Sequence, residues 1–379
     1  MNVLHVLSNY KWTERAEPAA DLAVGQKKAG ATVFFACGRN RRLDQEDSVA
    51  FRLRKKGLEP DELRLNKHFQ VLSAVRDVSA LRRIIDERQI DVLHAHMPNA
   101  HLIGALSARL SARRPHVVRT LYNPDKDEQP LRMKIACRIG TDGIVAIAPE
   151  AQAWLETELN WPSVRTRIIE PSVDVERFGT RPEQDLREEF DIARDAFVLG
   201  MVTAIGPRRR LDIAIRALKR LADRHPNVRL FIVGRGKIDL VIEGLARELG
   251  VRDRIVLAGY CRGERLVQAY RTMTMLVYPM PGTDKSCRTV REAMATGLPV
   301  AASRVGFLPH LIEDGKTGRL MDVDPDSLAE IVEDAIAHPD RLAAMAEESL
   351  KAAQRRFSPA LQAEKTLAFY RDMQVIALG

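Results

Sequence analysis

PGTDKSCRTVREAMATGLPV, residues 281–300, is the most informative stretch of this chain. Its apolar positions Val290, Ala293 and Met294 fall at the i, i+3, i+4 spacing of a buried helix face. Gly297 then ends the helix, and the VAAS run that follows is typical of a short strand. The stretch therefore predicts a buried helix that leads directly into a buried strand.

Short apolar runs alternate with helical patterns along the rest of the chain. NVLHVLS, TVFFACG, DVLHAH and GIVAIA read as strands, and the alternation restarts with FVLGMVTA after a polar stretch over residues 178–196. This order predicts an α/β protein with two Rossmann-like, doubly wound domains that face each other across a cleft. We expect an N-terminal domain over 1–178, a C-terminal domain over 179–357 and a last helix over 358–379 that packs back on the N-terminal domain.

The amino-acid composition indicates which ligands and which cellular compartment to expect. The chain has 379 residues with 45% hydrophobic and 29% charged content, which is ordinary for a two-domain globular protein. A net charge of +8 favours an anionic partner, namely a phosphorylated ligand, a membrane surface or nucleic acid. Only 5% of the residues are aromatic and no nucleic-acid module is recognisable, so we do not expect nucleic-acid binding. The four cysteines form no CxxC pair, which favours reduced thiols in the cytoplasm and argues against structural zinc.

Several motifs follow one another in the order and spacing of a known family. They are DVLHAH at 91–96, RIIEPSVDVERF at 167–178, LFIVGRG at 230–236, DRIVLAGY at 253–260, REAMATGLPVAAS at 291–303 and LIEDGKTGRL at 311–320. Over nearly its whole length the chain resembles the family 4 glycosyltransferases of the GT-B fold. The resemblance implies retaining transfer of a hexose or N-acetylhexosamine from a nucleotide diphosphate sugar. The implied acceptor is a glycan or lipid-linked glycan, as in cell-surface polysaccharide or lipopolysaccharide synthesis.

The resemblance assigns roles around the 281–300 helix. Asp284 and Glu292 match the family's pair of glutamates, although Asp284 is one methylene shorter, and they are expected at the donor sugar and the ribose hydroxyls respectively. A helix start offers free backbone N–H groups and a positive dipole end, so a diphosphate is expected there. The other donor-binding residues expected in this domain are Gly234, Tyr260, Ser286, Cys287, Arg288 and Thr289. The alternatives are that Asp284 only caps the helix and that Glu292 is an ordinary helix charge.

The stretch VTAIGPRRRLD, residues 202–212, departs from the family pattern. Ala204 stands where the family has an arginine that grips the diphosphate, and Arg209 stands in place of the family's lysine, with Arg208 beside it. A guanidinium can bind phosphate bidentately, so we expect both arginines at the donor, with Arg288 as a further cation. The alternative is that the three consecutive arginines form a solvated basic turn.

Candidates in the N-terminal half come from one strand and one loop. His94 and His96 share a face of the strand DVLHAH, and the family resemblance places the second histidine near the reacting sugar, so His96 joins Asp284 and Glu292 as a catalytic candidate. The pair could hold a metal, but no third ligand is evident from spacing, and His94 could be purely structural. The family's glycines after the first strand are missing, so we expect a differently shaped acceptor-side loop formed by Trp12, Thr13, Glu14 and Arg15.

Further expectations concern cofactors, location and competing functions. We expect no metal, because a helix start and arginines can stabilise the leaving diphosphate, and we assign DVD at 322–324 to a turn and helix cap. Basic clusters such as RLRKKG and SARRPH favour a cytoplasmic protein held peripherally on the cytoplasmic face of the inner membrane, although they could serve solubility alone.

The competing functions are a sugar-nucleotide epimerase of the same fold and a non-catalytic nucleotide-sugar-binding protein.

Overall fold

In a computed structural model, the chain divides into two units. The residues that the structure describes are 1–13, 15–39, 45–66, 71–122, 130–179, 185–238, 242–282 and 287–376. The first unit is Met1–Ser172 with Pro359–Gly379, and the second is Val173–Ser358. The chain thus leaves the first unit at Ser172, whereas the sequence placed this point at residue 178. Three residues of the expected site, Glu14, Asp284 and Ser286, lie outside the described residues.

The first unit contains a seven-stranded parallel sheet in the order β3-β2-β1-β4-β5-β6-β7. Its strands are β1 (Asn2–Leu7), β2 (Thr32–Gly38), β3 (Pro60–Leu63), β4 (Val92–Ala95), β5 (His116–Leu121), β6 (Gly143–Ala146) and β7 (Thr166–Ile168). Its helices are α1 (Ala16–Lys28), α2 (Val49–Lys55), α3 (Val71–Glu87), α4 (Pro98–Leu110), α5 (Pro130–Gly140), α6 (Pro149–Leu159) and α15 (Pro359–Ile376).

The second unit contains a six-stranded parallel sheet in the order β10-β9-β8-β11-β12-β13. Its strands are β8 (Phe197–Val202), β9 (Val228–Val233), β10 (Ile255–Gly259), β11 (Met275–Tyr278), β12 (Val300–Ser303) and β13 (Gly318–Met321). Its helices are α7 (Val175–Phe178), α8 (Leu211–Ala222), α9 (Gly244–Glu248), α10 (Glu264–Thr272), α11 (Cys287–Ala295), α12 (Leu308–Leu311), α13 (Pro325–Ala337) and α14 (Pro339–Arg356). The predicted α/β fold with two Rossmann-like domains is therefore confirmed.

The central strands are nearly continuous apolar runs because each sheet is covered on both faces. Every residue of β1 from Val3 to Leu7 is buried, including His5. A histidine in such a strand needs hydrogen-bond partners inside the protein, since burying an unpaired polar group is costly.

The helix predicted from residues 281–300 is present as α11. Val290, Ala293 and Met294 are fully buried, as the spacing predicts. Gly297 ends the turn with φ +73°, a value that glycine adopts without strain. β12 follows at once, as the VAAS run predicts.

The last helix, α15, packs in the first unit. Phe369, Tyr370 and Met373 are buried in one apolar cluster with Val3 and Val92 of the sheet. At Gly25 of α1, an added Cβ would lie 3.0 Å from the carbonyl oxygen of Pro359, so a larger residue here would push α1 and α15 slightly apart.

Some elements depart from the sequence analysis or refine it. β3 (PDEL) was not predicted, because a proline and two acids are poor strand formers, and it is tolerated because it lies at the sheet edge. The helix-cap prediction for DVD at 322–324 is confirmed, because the Asp324 carboxylate accepts from the backbone N–H groups of Asp326 and Ser327, each at 2.9 Å. Within the described chain, no helix combines the length and apolar character needed to cross a bilayer.

Candidate functional site

The carboxyl edge of the second unit's sheet gathers the described donor-site candidates. The strands run parallel, so the loops after β8, β9, β10 and β11 emerge at one edge, which is where open α/β sheets bind ligands. Arg208 and Arg209 follow β8, Gly234 follows β9, and Tyr260 follows β10. The structure thus places these four residues on the same edge of the sheet.

The loops after β8 and β9 touch through their backbones. The Thr203 N–H donates to the Val233 carbonyl at 2.9 Å, and the Ile205 N–H donates to the Arg235 carbonyl at 3.0 Å. Gly234 has φ +151°, and a Cβ there would lie 1.8 Å from the carbonyl oxygen of Thr203. Only glycine allows this approach, so the role of Gly234 in the described structure is to bring the two loops together.

Two of the arginines at this edge, Arg208 and Arg209, lie in one short turn. Pro207–Arg209 forms one turn of 3₁₀ helix, in which Arg208 is exposed and Arg209 is half-buried. The guanidinium of Arg209 reaches the loop after β11, where Nη1 lies 3.7 Å from Sδ of Met280. Among the described residues, no carboxylate lies within salt-bridge distance of Arg208, Arg209 or Arg235. Three cations at one edge of the sheet therefore have no acidic partner in the part of the chain that the structure describes.

Tyr260 presents an aromatic ring beside these cations. The residue is 53% exposed, and the guanidinium carbons of Arg235 and Arg262 each lie 4.7 Å from the ring centroid. Cation–π contacts of this kind hold a ring in place while leaving part of it open. Sequence reasoning found Tyr260 but missed Arg235 and Arg262, although both follow strand ends that it had identified.

Glu292 is buried in α11 and hydrogen-bonded on both carboxylate oxygens. Tyr270 Oη donates to Oε2 at 2.9 Å, and Arg288 Nε donates to Oε1 at 2.8 Å. Burial and the neighbouring carboxylate raise the pKa of Tyr270 well above its usual value, so its hydroxyl stays protonated and remains a donor. Arg288, expected at the diphosphate, is thus engaged with Glu292 in this structure.

The start of α11 is anchored to the sheet. The Cys287 side chain is fully buried, so its backbone N–H is the group it can offer to a ligand. The Thr289 hydroxyl lies 3.5 Å from the carbonyl oxygen of Val202 at the end of β8. The helix start therefore lies beside the β8 edge that also carries Arg208 and Arg209.

In the first unit, His94 and His96 are joined by a third histidine that sequence reasoning missed. His5 Nδ1 lies 2.9 Å from His96 Nε2, and the ring centroids of His94 and His96 are 4.5 Å apart. All three rings are fully buried. The expectation that the pair has no third ligand is wrong, because one nitrogen from each of the three rings lies within 4.8 Å of the others. The only signal was a lone polar residue in the apolar run NVLHVL.

The proton positions in this histidine cluster follow from Gln26. Its Oε1 only accepts, so His5 Nε2, 2.8 Å away, carries the proton. Burial lowers the pKa of His5 to about 4, so the ring is neutral near pH 7 and Nδ1 accepts from His96 Nε2. Burial also lowers the pKa of His96, and Nδ1 of that neutral ring accepts from Tyr122 Oη at 3.2 Å.

Gln26 also begins a second series of hydrogen bonds, which leads through Tyr370 of α15 to His94. Gln26 Nε2 donates to Tyr370 Oη at 3.2 Å, which leaves the tyrosine hydrogen free to point at His94 Nδ1. Burial lowers the pKa of His94, so the ring is neutral and its Nε2–H donates to Thr120 Oγ1 at 2.6 Å. Gln26 therefore sets the tautomers of all three histidines.

This network fits a neutral hydrogen-bonded cluster better than a cation site. Every ring nitrogen of His5, His94 and His96 already has a partner. The positive charge of Arg119, itself 1% exposed, contributes to the lowered pKa values of His94 and His96. A metal ion would have to displace these bonds and lie near that charge.

The expected acceptor-side loop is partly buried. Trp12 lies under the guanidinium of Arg52, whose carbon is 5.7 Å from the ring centroid. The Thr13 carbonyl accepts from the Ala16 N–H at 2.9 Å and so belongs to the start of α1. Arg15 is 8% exposed, which directs most of its side chain into the unit.

Comparisons with known proteins agree with this architecture. The model of the group 1 glycosyl transferases matches residues 182–352, and that of Glycosyltransferase Family 4 matches residues 19–177. A GDP-mannose-dependent α-(1-6)-phosphatidylinositol monomannoside mannosyltransferase of Mycolicibacterium smegmatis is 31% identical, over 70% of this chain and 72% of its own. A D-inositol 3-phosphate glycosyltransferase of Kribbella flavida is 28% identical, over 80% of this chain and 76% of its own.

A solved structure supports the fold. The crystal structure of Anabaena HepE in complex with UDP superposes with a TM-score of 0.80, at 19% identity, over 97% of this chain and 99% of that one. Together with the two parallel sheets and the sequence matches, this likeness identifies the GT-B fold. The chain belongs to the family 4 glycosyltransferases and is a hexosyltransferase that uses a nucleotide-sugar donor.

Proposed function

We propose that the carboxyl edge of the second unit's sheet binds the nucleotide diphosphate sugar. The observation that carries this proposal is the set of three arginines, Arg208, Arg209 and Arg235, which have no carboxylate partner among the described residues. Such guanidiniums form charge-assisted, bidentate hydrogen bonds with phosphate. The start of α11 adds backbone N–H groups at the positive end of a helix dipole.

The same groups serve the chemistry of transfer. As the bond from the sugar to the diphosphate breaks, negative charge grows on the leaving group, and fixed cations and N–H groups stabilise it. The half-buried Arg209 is held toward the loop after β11, so it is assigned to the diphosphate. Glu292 is assigned to the ribose hydroxyls, with Tyr270 and Arg288 fixing its carboxylate. Tyr260 is assigned to the nucleoside, which would stack on its ring in place of Arg235 or Arg262.

The first unit is proposed to bind the acceptor. The relatives are named for acceptors that carry an inositol phosphate group, and the donor in one name is GDP-mannose. We propose transfer of a hexose or N-acetylhexosamine with retention to a glycan or lipid-linked glycan. Cell-surface glycan synthesis in the cytoplasm, at the inner membrane, is the setting that fits such an acceptor. His96 is assigned to the reacting sugar, although its ring is fully buried and its Nδ1 accepts from Tyr122 Oη in the described structure. The family match disfavours an epimerase.

A thermal-shift screen tests the donor proposal. UDP-, GDP-, ADP- and CMP-sugars are added to the wild type, and a ligand at a hundred times its Kd raises the free energy of unfolding by about 2.7 kcal/mol. The Arg209→Gln/Arg235→Gln variant should lose most of this shift. The control is Arg216→Gln/Arg341→Gln, which removes the same charge from exposed helical positions. An unchanged shift in the first variant would contradict the proposed site.

A further inference from the structure

Helix α5 of the first unit has an apolar outer face. Met133 and Ala136 face inward and are at most 2% exposed, whereas Leu131 is 71% and Ile135 is 43% exposed. Leu131 and Ile135 are four positions apart, so they lie one above the other on one face. The outer face of a helix that packs on a globular core is normally polar. The exposed apolar pair on this face therefore suits contact with an apolar partner.

Cations surround the two apolar side chains. Arg132, Lys134 and Arg138 are all exposed, and the sequence of α5 contains no acidic residue. In the part of the chain that the structure describes, neither Lys134 nor Arg138 has a carboxylate within salt-bridge distance. The pattern is an apolar ridge with positive flanks.

A cavity opens on one flank of this ridge, between α5 and the end of α6. Its volume is about 420 Å³, and Lys134, Arg138, Glu158, Asn160 and Trp161 are among the residues that line it. Trp161 is 8% exposed, and its indole N–H finds no acceptor in the described structure. Lys134 and Arg138 outnumber the single carboxylate, Glu158, in the lining of this cavity, so its net positive charge matches an anionic headgroup.

We propose that α5 docks on an anionic phospholipid bilayer. Leu131 and Ile135 enter the boundary between headgroups and acyl chains, and Lys134 and Arg138 meet lipid phosphates at the cavity. A protein partner fits less well, because the core of a protein interface is depleted of charged residues, and here the exposed cations Arg132, Lys134 and Arg138 surround only two exposed apolar side chains. The net charge of +8 also favours an anionic surface.

Docking on a bilayer rests on the proposed function only in one respect, namely that the acceptor is linked to a lipid. A bilayer surface is where a lipid-linked acceptor would lie, so docking would bring the first unit to its substrate. Vesicle binding is measured without donor or acceptor. Failure of vesicle binding would leave donor binding intact, and failure of donor binding would leave vesicle binding intact.

Co-sedimentation with vesicles tests the proposal on the full chain. We expect binding to vesicles of equal parts phosphatidylglycerol and phosphatidylcholine, with little binding to phosphatidylcholine alone and a decline as salt rises. Lys134→Gln/Arg138→Gln should lower the partition coefficient roughly tenfold to thirtyfold, because each cation near an anionic surface adds about one kcal/mol. Leu131→Ser/Ile135→Ser should lower it about tenfold through lost apolar burial.

Two controls separate this face from general charge and general apolarity. Arg216→Gln/Arg341→Gln removes two exposed cations of the second unit, and Val75→Ser removes a single apolar residue that is 66% exposed on α3. Both should retain wild-type vesicle binding, and all variants should unfold at wild-type temperatures. The proposal is overturned if the wild type does not bind anionic vesicles, or if the α5 variants bind them as well as the controls do.

Discussion

His5 and His96 lie 91 positions apart in the sequence, yet His5 Nδ1 is 2.9 Å from His96 Nε2. β1 and β4 pair in parallel with His5 beside His94, and the ring of His96, two residues further on, stacks on that of His5 with centroids 5.2 Å apart. Burial keeps these rings neutral, and Gln26 orients them. The cluster therefore presents a fixed, uncharged His96 at neutral pH.

The first prediction concerns stability in acid. Burial lowers the pKa of His5 to about 4, below the value of about 6.5 expected in the unfolded chain. The unfolded state thus binds more protons as pH falls below about 6.5, so stability is present above that pH and is lost toward the folded pKa. Between pH 7 and pH 5, His5 alone should account for a loss of about 2 kcal/mol in the free energy of unfolding.

Urea unfolding at both pH values measures this loss. His5→Gln should show a pH-dependence that is smaller by about that amount, whatever its absolute stability. Equal pH-dependence in His5→Gln and the wild type would refute a neutral, buried His5.

The second prediction concerns the contact between the loops after β8 and β9. Gly234→Ala would place a Cβ 1.8 Å from the Thr203 carbonyl oxygen and would force a side chain into a conformation with φ +151°. The two loops must then separate, which moves Arg209 relative to Arg235, and donor affinity should fall at least about tenfold. Calorimetric titration with the nucleotide found in the thermal screen provides the affinity. Gly244→Ala, where no atom lies within 4 Å of the added Cβ, should bind normally.

The third prediction concerns Arg288 and Glu292. Arg288→Ala removes the 2.8 Å bond to the buried carboxylate and should lower kcat/KM about tenfold or more. If Arg288 acts by positioning Glu292, its loss should have little further effect in Glu292→Gln, so the double-mutant cycle should be non-additive.

A matched cycle tests the competing role of Arg288 at the diphosphate. Ala204 is exposed, so Ala204→Arg has room for its side chain. If Arg288 bound the diphosphate directly, Ala204→Arg would rescue Arg288→Ala more than it helps the wild type. We expect equal effects on both backgrounds, and a selective rescue would show that Arg288 serves the diphosphate instead.

The fourth prediction concerns metal dependence. The arginines at the carboxyl edge and the start of α11 supply positive charge to the leaving diphosphate, which is the role of Mg²⁺ or Mn²⁺ in other transferases. Transfer activity should therefore persist in excess EDTA at close to its untreated rate. An absolute requirement for added divalent cation would show that these residues are insufficient.

Local sequence signals predicted the features that depend on the spacing of apolar residues and on the residues that begin or end helices. The α11 helix, its end at Gly297 and the cap at Asp324 all follow from neighbours in sequence. The sequence could not reveal His5 as a partner of His96, because that contact depends on the pairing of β1 with β4. Nor did it reveal that Arg288 bonds Glu292, although their spacing of four placed them on one helix face.

A structure with bound nucleotide diphosphate tests the central claim most directly. We predict that UDP or GDP, whichever stabilises the protein more, lies at the carboxyl edge of the β8–β11 sheet. Its phosphates should contact Arg209 and the start of α11, and its nucleoside should lie beside Tyr260. A nucleotide bound instead to the first unit, with the second unit's edge unoccupied at saturating concentration, would contradict the assignment of the donor site.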